Sequence, residues 1–122
     1  VARGVPFVRA ATKQTTATVY SVDPGRSACV ACAAGTSIGQ SPDALRLLRE
    51  RTAPGLAMGP FSGLLASLAA LEILRYVTGF EPPAYAGQPV HVEFGAGADM
   101  RRLAWRRDPA CPVCGPGRHR DT

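Results

Sequence analysis

The strings CVAC at Cys29–Cys32 and CPVC at Cys111–Cys114 contain all four cysteines of this 122-residue chain. A C-x-x-C turn presents two thiolates to one ion while its backbone amides help to neutralise the sulfur charge, and two such turns complete a closed tetrahedral set. One zinc ion held by Cys29, Cys32, Cys111 and Cys114 is therefore expected. Four thiolates leave no open position for water or substrate, so that ion is structural. Two disulfides are the competing use of four cysteines, but they suit an oxidising compartment. A thioredoxin-like redox pair sits on a strand-to-helix turn, whereas CPVC runs into GPGRHRDT. Compact zinc ribbons separate their two turns by about 15 to 20 residues. Here a helix and a hairpin intervene, so the ion is expected to staple a loop near residue 30 to the C-terminal tail, closing a long loop of chain.

Working outward from the cysteines, VPFVR from Val5 and TTATVYSV from Thr15 are β-branched and weakly alternating, which predicts two strands. Asp23-Pro24-Gly25 is a turn in which Pro presets φ and Gly can supply a positive one. A crossover stretch, about residues 33–54, is polar and then briefly helical, with Ser41 as cap, Pro42 at the first position and Arg46, Arg49 and Arg51 on an outer side. Residues 56–78 are the most apolar in the chain. Phe61, Leu64, Leu65, Leu68, Leu71, Ile73 and Leu74 spread almost around the helical circumference, which predicts a buried helix punctuated by Pro60 and Gly79. Small residues at Gly59, Gly63, Ala66, Ser67 and Ala70 would admit another backbone closely. Two alternating strings, VHVEF from Val90 and MRRLAWR from Met100, predict a hairpin ahead of the second cysteine turn, so the hairpin and knuckle span 90–115.

Composition allows one modest domain, with 46% hydrophobic residues. No run of 18 uncharged apolar residues occurs and Val1–Ala11 does not read as a signal peptide, so a cytoplasmic, non-membrane protein is expected. A chain that starts at Val1 is expected to be processed or cut from something longer. Fourteen Lys and Arg stand against nine Asp and Glu, and Lys13 is the sole lysine. Arg101, Arg102, Arg106, Arg107, Arg118 and Arg120 cluster near the C-terminus, where a solvated charged face is the ordinary reading and nucleic acid the alternative. Nucleotide chemistry needs a phosphate cradle, and the sequence has none: GAGADM at Gly95–Met100 lacks a third glycine and runs toward a strand. His91 and His119 have no evident sequence partner, and no serine lies in a nucleophile-elbow string. No catalytic residue is assigned.

The cysteine pairs, GLAMGPFSGLLASLAALEILRYVTG at 55–79 and RRDPACPVCG at 106–115 together resemble the ThiF/MoeB/HesA family of ubiquitin-activating-enzyme-like adenylyltransferases. The resemblance follows a strand pair, a C-x-x-C, a crossover loop, a Gly-Pro-rich helix with A-x-E, a hairpin and a second C-x-x-C, in that order. It implies an α/β fold, the C-terminal part of a Rossmann-like ThiF-type adenylation domain, covering residues 1–122. It also implies that the complete domain adenylates the C-terminal glycine of a ubiquitin-like sulfur carrier with ATP and Mg2+, the nucleotide site lying in a half that is not in this sequence. The implied partners are the carrier, that nucleotide-binding half, and a second subunit, since the family's corresponding helix lies near a dimer interface. The crossover loop has no cysteine to form a thioester or persulfide, so the resemblance implies an adenylation-only or silent role, inactive in this chain alone.

SVDPGRSACVAC from Ser21 also resembles the adenylating-enzyme-like proteins of azoline peptide biosynthesis, which implies instead a scaffold that binds a leader peptide. A basic zinc module on nucleic acid is the third reading. It is weakened by sparse aromatic residues, Trp105 being the sole ring near the arginines.

Overall fold

The computed structural model describes residues 4–13, 15–34, 59–95 and 97–115. Four strands, β1 (Phe7–Lys13), β2 (Thr16–Val22), β3 (Val90–Glu93) and β4 (Asp99–Arg102), pair in the order β1-β2-β3-β4. Every strand pair in this sheet is antiparallel. The expected α/β class therefore appears as a mixed helix and sheet unit, with no parallel strand pair in the sheet of the described residues. Among the described residues two helices accompany it, the short α1 (Val30–Ala34) and the 20-residue α2 (Gly59–Thr78). The expected cap at Ser41 and most of the crossover stretch, 35–54, lie outside the described residues.

Strand alternation divides the core in two. Side chains two apart on a strand share a face, so Ala17, Val19 and Ser21 of β2 look one way while Tyr20 and Val22 look the other. On the first face Ala17, Val19, Val90 and Val92 pack with Leu65 of α2 and with Tyr85, joined by Val8, Leu68, Ala69 and Phe94. On the second, Tyr20 and Val22 pack with the cysteines. The sheet is thus clamped between α2 and the sulfur cluster.

Pro60 and Gly79 punctuate α2 as expected. Gly79 adopts φ +66° and its amide donates to the Arg75 carbonyl at 3.0 Å, the left-handed helix stop that glycine allows. The expectation of a buried helix is corrected. Only Leu65 and Glu72 are buried, whereas Leu64, Leu71, Ile73, Leu74 and Val77 are exposed, Val77 at 76%. A helix lying on one sheet face can bury only one side, and the described residues offer no second layer. Length and composition alone would let α2 cross a membrane. Its inward side is nevertheless committed to the sheet and carries both of its charged residues, Glu72 and Arg75.

Glu72 ties this layer together. Its carboxylate accepts from Ser21 Oγ at 2.6 Å, Tyr85 N at 2.9 Å, Ala84 N at 3.0 Å and Arg75 NH1 at 3.2 Å. Tyr76 donates in turn to Ser21 Oγ. Burial by itself would raise the Glu72 carboxyl, but these donors outweigh it and hold the group below the usual glutamate range. A buried carboxylate stripped of its donors, or donors stripped of their acceptor, costs a desolvation penalty with nothing to offset it.

Glu72→Gln is expected to lower unfolding stability by about 2–3 kcal/mol in urea titrations, because the buried donors lose an ionic acceptor. A folded-state value below the unfolded one contributes stability that is present above about pH 4.3, the ordinary glutamate value, and is lost as pH falls through the folded value. The wild-type curve of stability against pH should therefore drop on its acid limb more steeply than that of Glu72→Gln. Superimposable acid limbs would refute the latch.

Candidate metal centre

Two short turns carry the cysteines to one place. After β2, Arg26 N and Ser27 N donate to the Asp23 carbonyl at 3.1 and 2.9 Å, with Gly25 at φ +81° as the turn chemistry predicts. Ser27 Oγ accepts from Asp23 N at 2.9 Å and closes the corner. The buried Ala28 and Cys29 follow, and α1 raises Cys32 one turn later.

From the other end, the chain after β4 stays zipped to the segment before β3. Leu103 N donates to the Pro89 carbonyl at 2.9 Å and Trp105 N to the Gly87 carbonyl at 2.8 Å. Asp108 then caps its own turn, with Oδ1 accepting from Ala110 N at 2.8 Å and the carbonyl accepting from Cys111 N at 3.1 Å. Gly115 N closes onto the Cys111 carbonyl at 2.9 Å. A Cβ at position 115 would lie 2.5 Å from that carbonyl oxygen, so the second turn requires glycine there.

All four cysteine sulfurs lie within 4.8 Å of one another. Cys29 and Cys32 are 3.8 Å apart, Cys29 and Cys111 3.7 Å, and Cys32 and Cys114 3.3 Å. A tetrahedron with metal–sulfur bonds of about 2.3 Å has edges of about 3.8 Å. The donor set therefore has the type, number and spacing that a zinc ion takes. Electrostatics agrees. Burial and the neighbouring sulfurs push the Cys114 thiol up to about 12, and burial likewise raises Cys29. Backbone donation from Cys114 and Val113 brings Cys111 down to about 7. Four sulfurs this close cannot all be anions without a cation among them, and a divalent metal would supply that charge. Backbone amides also point at sulfur, from Asp108 to Cys32 and from Val113 to Cys111, each at 3.5 Å.

Two arginines of the basic cluster, Arg102 and Arg107, have local partners. Arg107 donates to the Gly25 carbonyl at 2.8 Å and to the Cys114 carbonyl at 3.0 Å, bridging the two cysteine turns. Arg102 donates to the Ala84 carbonyl and lies over the Tyr85 ring. Trp105 packs on Tyr20 with ring centroids 5.0 Å apart, within the cluster that holds Cys29, Cys111 and Cys114. Trp105 is thus spent on the core rather than left free to stack on bases, and Tyr85, the ring beneath Arg102, is itself buried. His91 does have a partner, since its Nδ1 lies 3.3 Å from Thr18 Oγ1. Arg118, His119 and Arg120 lie outside the described residues. Sequence reasoning met Glu72 only as the acidic residue of A-x-E within the apolar run 56–78 and missed its organising role. A lone acidic residue late in such a run was the available signal.

The family model of the ThiF family matches residues 1–113. Among curated proteins, protein HesA of Leptolyngbya boryana is 34% identical over 111 residues, covering 90% of this chain and 35% of the relative. The sulfur carrier protein ThiS adenylyltransferase of Escherichia coli K12 is 40% identical over 58 residues, 48% of this chain and 22% of that protein. Among solved structures, E. coli MccB with ATP superposes at TM-score 0.73 and 19% identity over 93% of this chain and 32% of that one. E. coli MccB with AMPCPP and MccA does so at 0.72 and 18%, covering 93% and 33%. At those identities the likeness is one of fold. The chain spans about a third of the length of these HesA and MccB chains.

Purified chain is expected to contain about one zinc by elemental analysis. Trp105 is the single tryptophan and borders the sulfurs. Chelation of the metal, or Cys111→Ser, should shift its emission to longer wavelength and lower stability by more than about 3 kcal/mol, because metal binding to such a site is folding free energy. A reduced, metal-free chain with unchanged emission and melting would exclude a structural centre.

Proposed function

The chain belongs to the ThiF family, and from that premise we propose that it is the metal-braced portion of an enzyme that adenylates the C-terminal glycine of a ubiquitin-like sulfur carrier. The observation that carries the reading is the coincidence of a family match over residues 1–113 with four converged sulfurs. The kinship with an adenylyltransferase for ThiS supports a carrier as substrate.

Adenylation joins a carboxylate to the α-phosphate of ATP and releases pyrophosphate, and it needs a phosphate cradle and cations to neutralise the developing charge. The sequence holds neither a G-x-G-x-x-G nor a P-loop string. ATP and Mg2+ are accordingly assigned to the nucleotide-binding portion of the enzyme, and this chain by itself is not the catalyst. Its own residues hold the platform rigid. The cysteine turns and Arg107 fix the lower end of β2 and the tail, while Glu72 fixes α2 to the other face. The uncharged outer arc of α2 is where the nucleotide-binding portion, or a second copy, would pack. Free thiols held for a metal suit the reducing cytoplasm.

A second reading, a scaffold that binds a leader peptide, draws support from the MccB structures solved with MccA. One experiment separates the two. The chain joined to the nucleotide-binding portion of a ThiF-type enzyme should exchange labelled pyrophosphate into ATP when given a sulfur carrier ending in glycine, and the chain by itself should not. Tight binding of a short peptide without any exchange would move the assignment to the scaffold. Exchange by the unjoined chain would overturn the placement of the nucleotide site.

A further inference from the structure

We infer that Cys32 is an oxidation site and Cys114 its disulfide partner, so that a two-electron oxidant such as hydrogen peroxide exchanges the metal for a covalent bond between the two cysteine turns. The inference rests on the metal reading above and adds a modification chemistry to it.

Accessibility singles out one sulfur residue. Cys29, Cys111 and Cys114 are buried at 2%, 4% and 2% exposure, whereas Cys32 is only half-buried at the rim of the cluster. A solute that cannot enter the core meets Cys32 first, and thiol reactivity follows access as well as thiolate character. Distance singles out its partner. Cys114 lies 3.3 Å from Cys32, against 3.8 Å for Cys29, the other cysteine of the same turn. The nearest second sulfur is thus on the opposite turn, 82 residues away in sequence.

The chemistry balances without further reactants. The Cys32 thiolate attacks one peroxide oxygen, the O–O bond breaks, hydroxide leaves, and Cys32 becomes a sulfenic acid. The Cys114 thiolate then attacks the Cys32 sulfur, the S–O bond breaks, a second hydroxide leaves, and the disulfide forms. Two thiolates lose two electrons in all, and peroxide is reduced to two hydroxides that solvent protonates to water. With Cys32 and Cys114 joined, only Cys29 and Cys111 would remain as thiolate donors, too few to retain a zinc ion. Because the new bond joins the same two turns as the ion, it keeps residue 32 tethered to residue 114. Oxidation should therefore release metal without opening the domain. A disulfide within either turn would release the metal and the tether together.

The test takes zinc-loaded chain, adds hydrogen peroxide, follows free zinc with a metal-responsive dye, and maps disulfides on non-reduced tryptic peptides. One zinc should appear per disulfide, linking peptide 27–46 to peptide 108–118 through Cys32 and Cys114. Excess dithiothreitol with zinc should restore the starting state, and far-ultraviolet dichroism should stay constant throughout. In unoxidised, zinc-loaded chain, limiting iodoacetamide should label Cys32 at least about ten-fold faster than the other three cysteines. Predominant Cys29–Cys32 or Cys111–Cys114 disulfides, even labelling of all four, or zinc release only on unfolding would overturn the inference. Chain purified without zinc would instead overturn the metal centre on which it rests.

Discussion

Four sulfurs from two turns 82 residues apart occupy one site less than 5 Å across, and the rest of the structure is arranged around that convergence. Thiolates at such spacing repel, and thiols at such burial have poor hydrogen-bond partners. A cation would remove both difficulties at once, and the convergence itself constrains the chain at each end. β2 must deliver Cys29 promptly, hence the tight Asp23–Ser27 corner. The segment after β4 must travel back along β3 to reach the same place, hence the backbone bonds from Leu103 and Trp105 to Pro89 and Gly87. Loop closure over so long a separation costs chain entropy, though only logarithmically in length. The Arg107 bridge and the Tyr20–Trp105 contact offset part of that cost, and ligand bonds to a metal would add to them.

The opposite face of the sheet is held by a different interaction. There a buried carboxylate gathers backbone amides from Ala84 and Tyr85, a hydroxyl from β2 and a guanidinium from its own helix. Ser21 belongs to the strand whose neighbours Tyr20 and Val22 face the sulfurs. β2 is therefore the common member of both clamps, and it is the strand with the most consistently buried residues. A disturbance at either clamp is felt through that strand.

How much of this was legible in the sequence depends on whether the signal was local. The cysteine set, the Gly25 turn, the strand pairs and the Pro60 and Gly79 punctuation were readable because turn chemistry and spacing are local properties. Strand ends were less so: β1 runs on to Lys13 and β4 stops at Arg102, because hydrogen-bond register, not residue preference, sets those limits. Glu72 was legible only as the acidic residue of A-x-E. Its role depends on Ser21 and Tyr85, 51 and 13 residues away, and no helical period reports such partners. The family and the four-sulfur set were likewise legible, whereas the half-buried exposure of Cys32 was visible only in the fold.

The misreading of α2 is itself informative. Its apolar residues run nearly round the circumference, which by itself predicts burial. Yet the sheet covers one side, and the side facing away holds Gly59, Gly63, Ala66, Ala70, Leu71, Leu74 and Val77 with no charge among them. Both charges, Glu72 and Arg75, are turned inward to the Ser21 and Tyr85 network. A helix that ends its domain at solvent carries its charges the other way round. The inverted arrangement leaves an uncharged, apolar face of α2 that no described residue covers. The Glu72 network and the sulfur cluster thus hold the sheet from its two faces, one through a buried carboxylate and the other through four converged sulfurs.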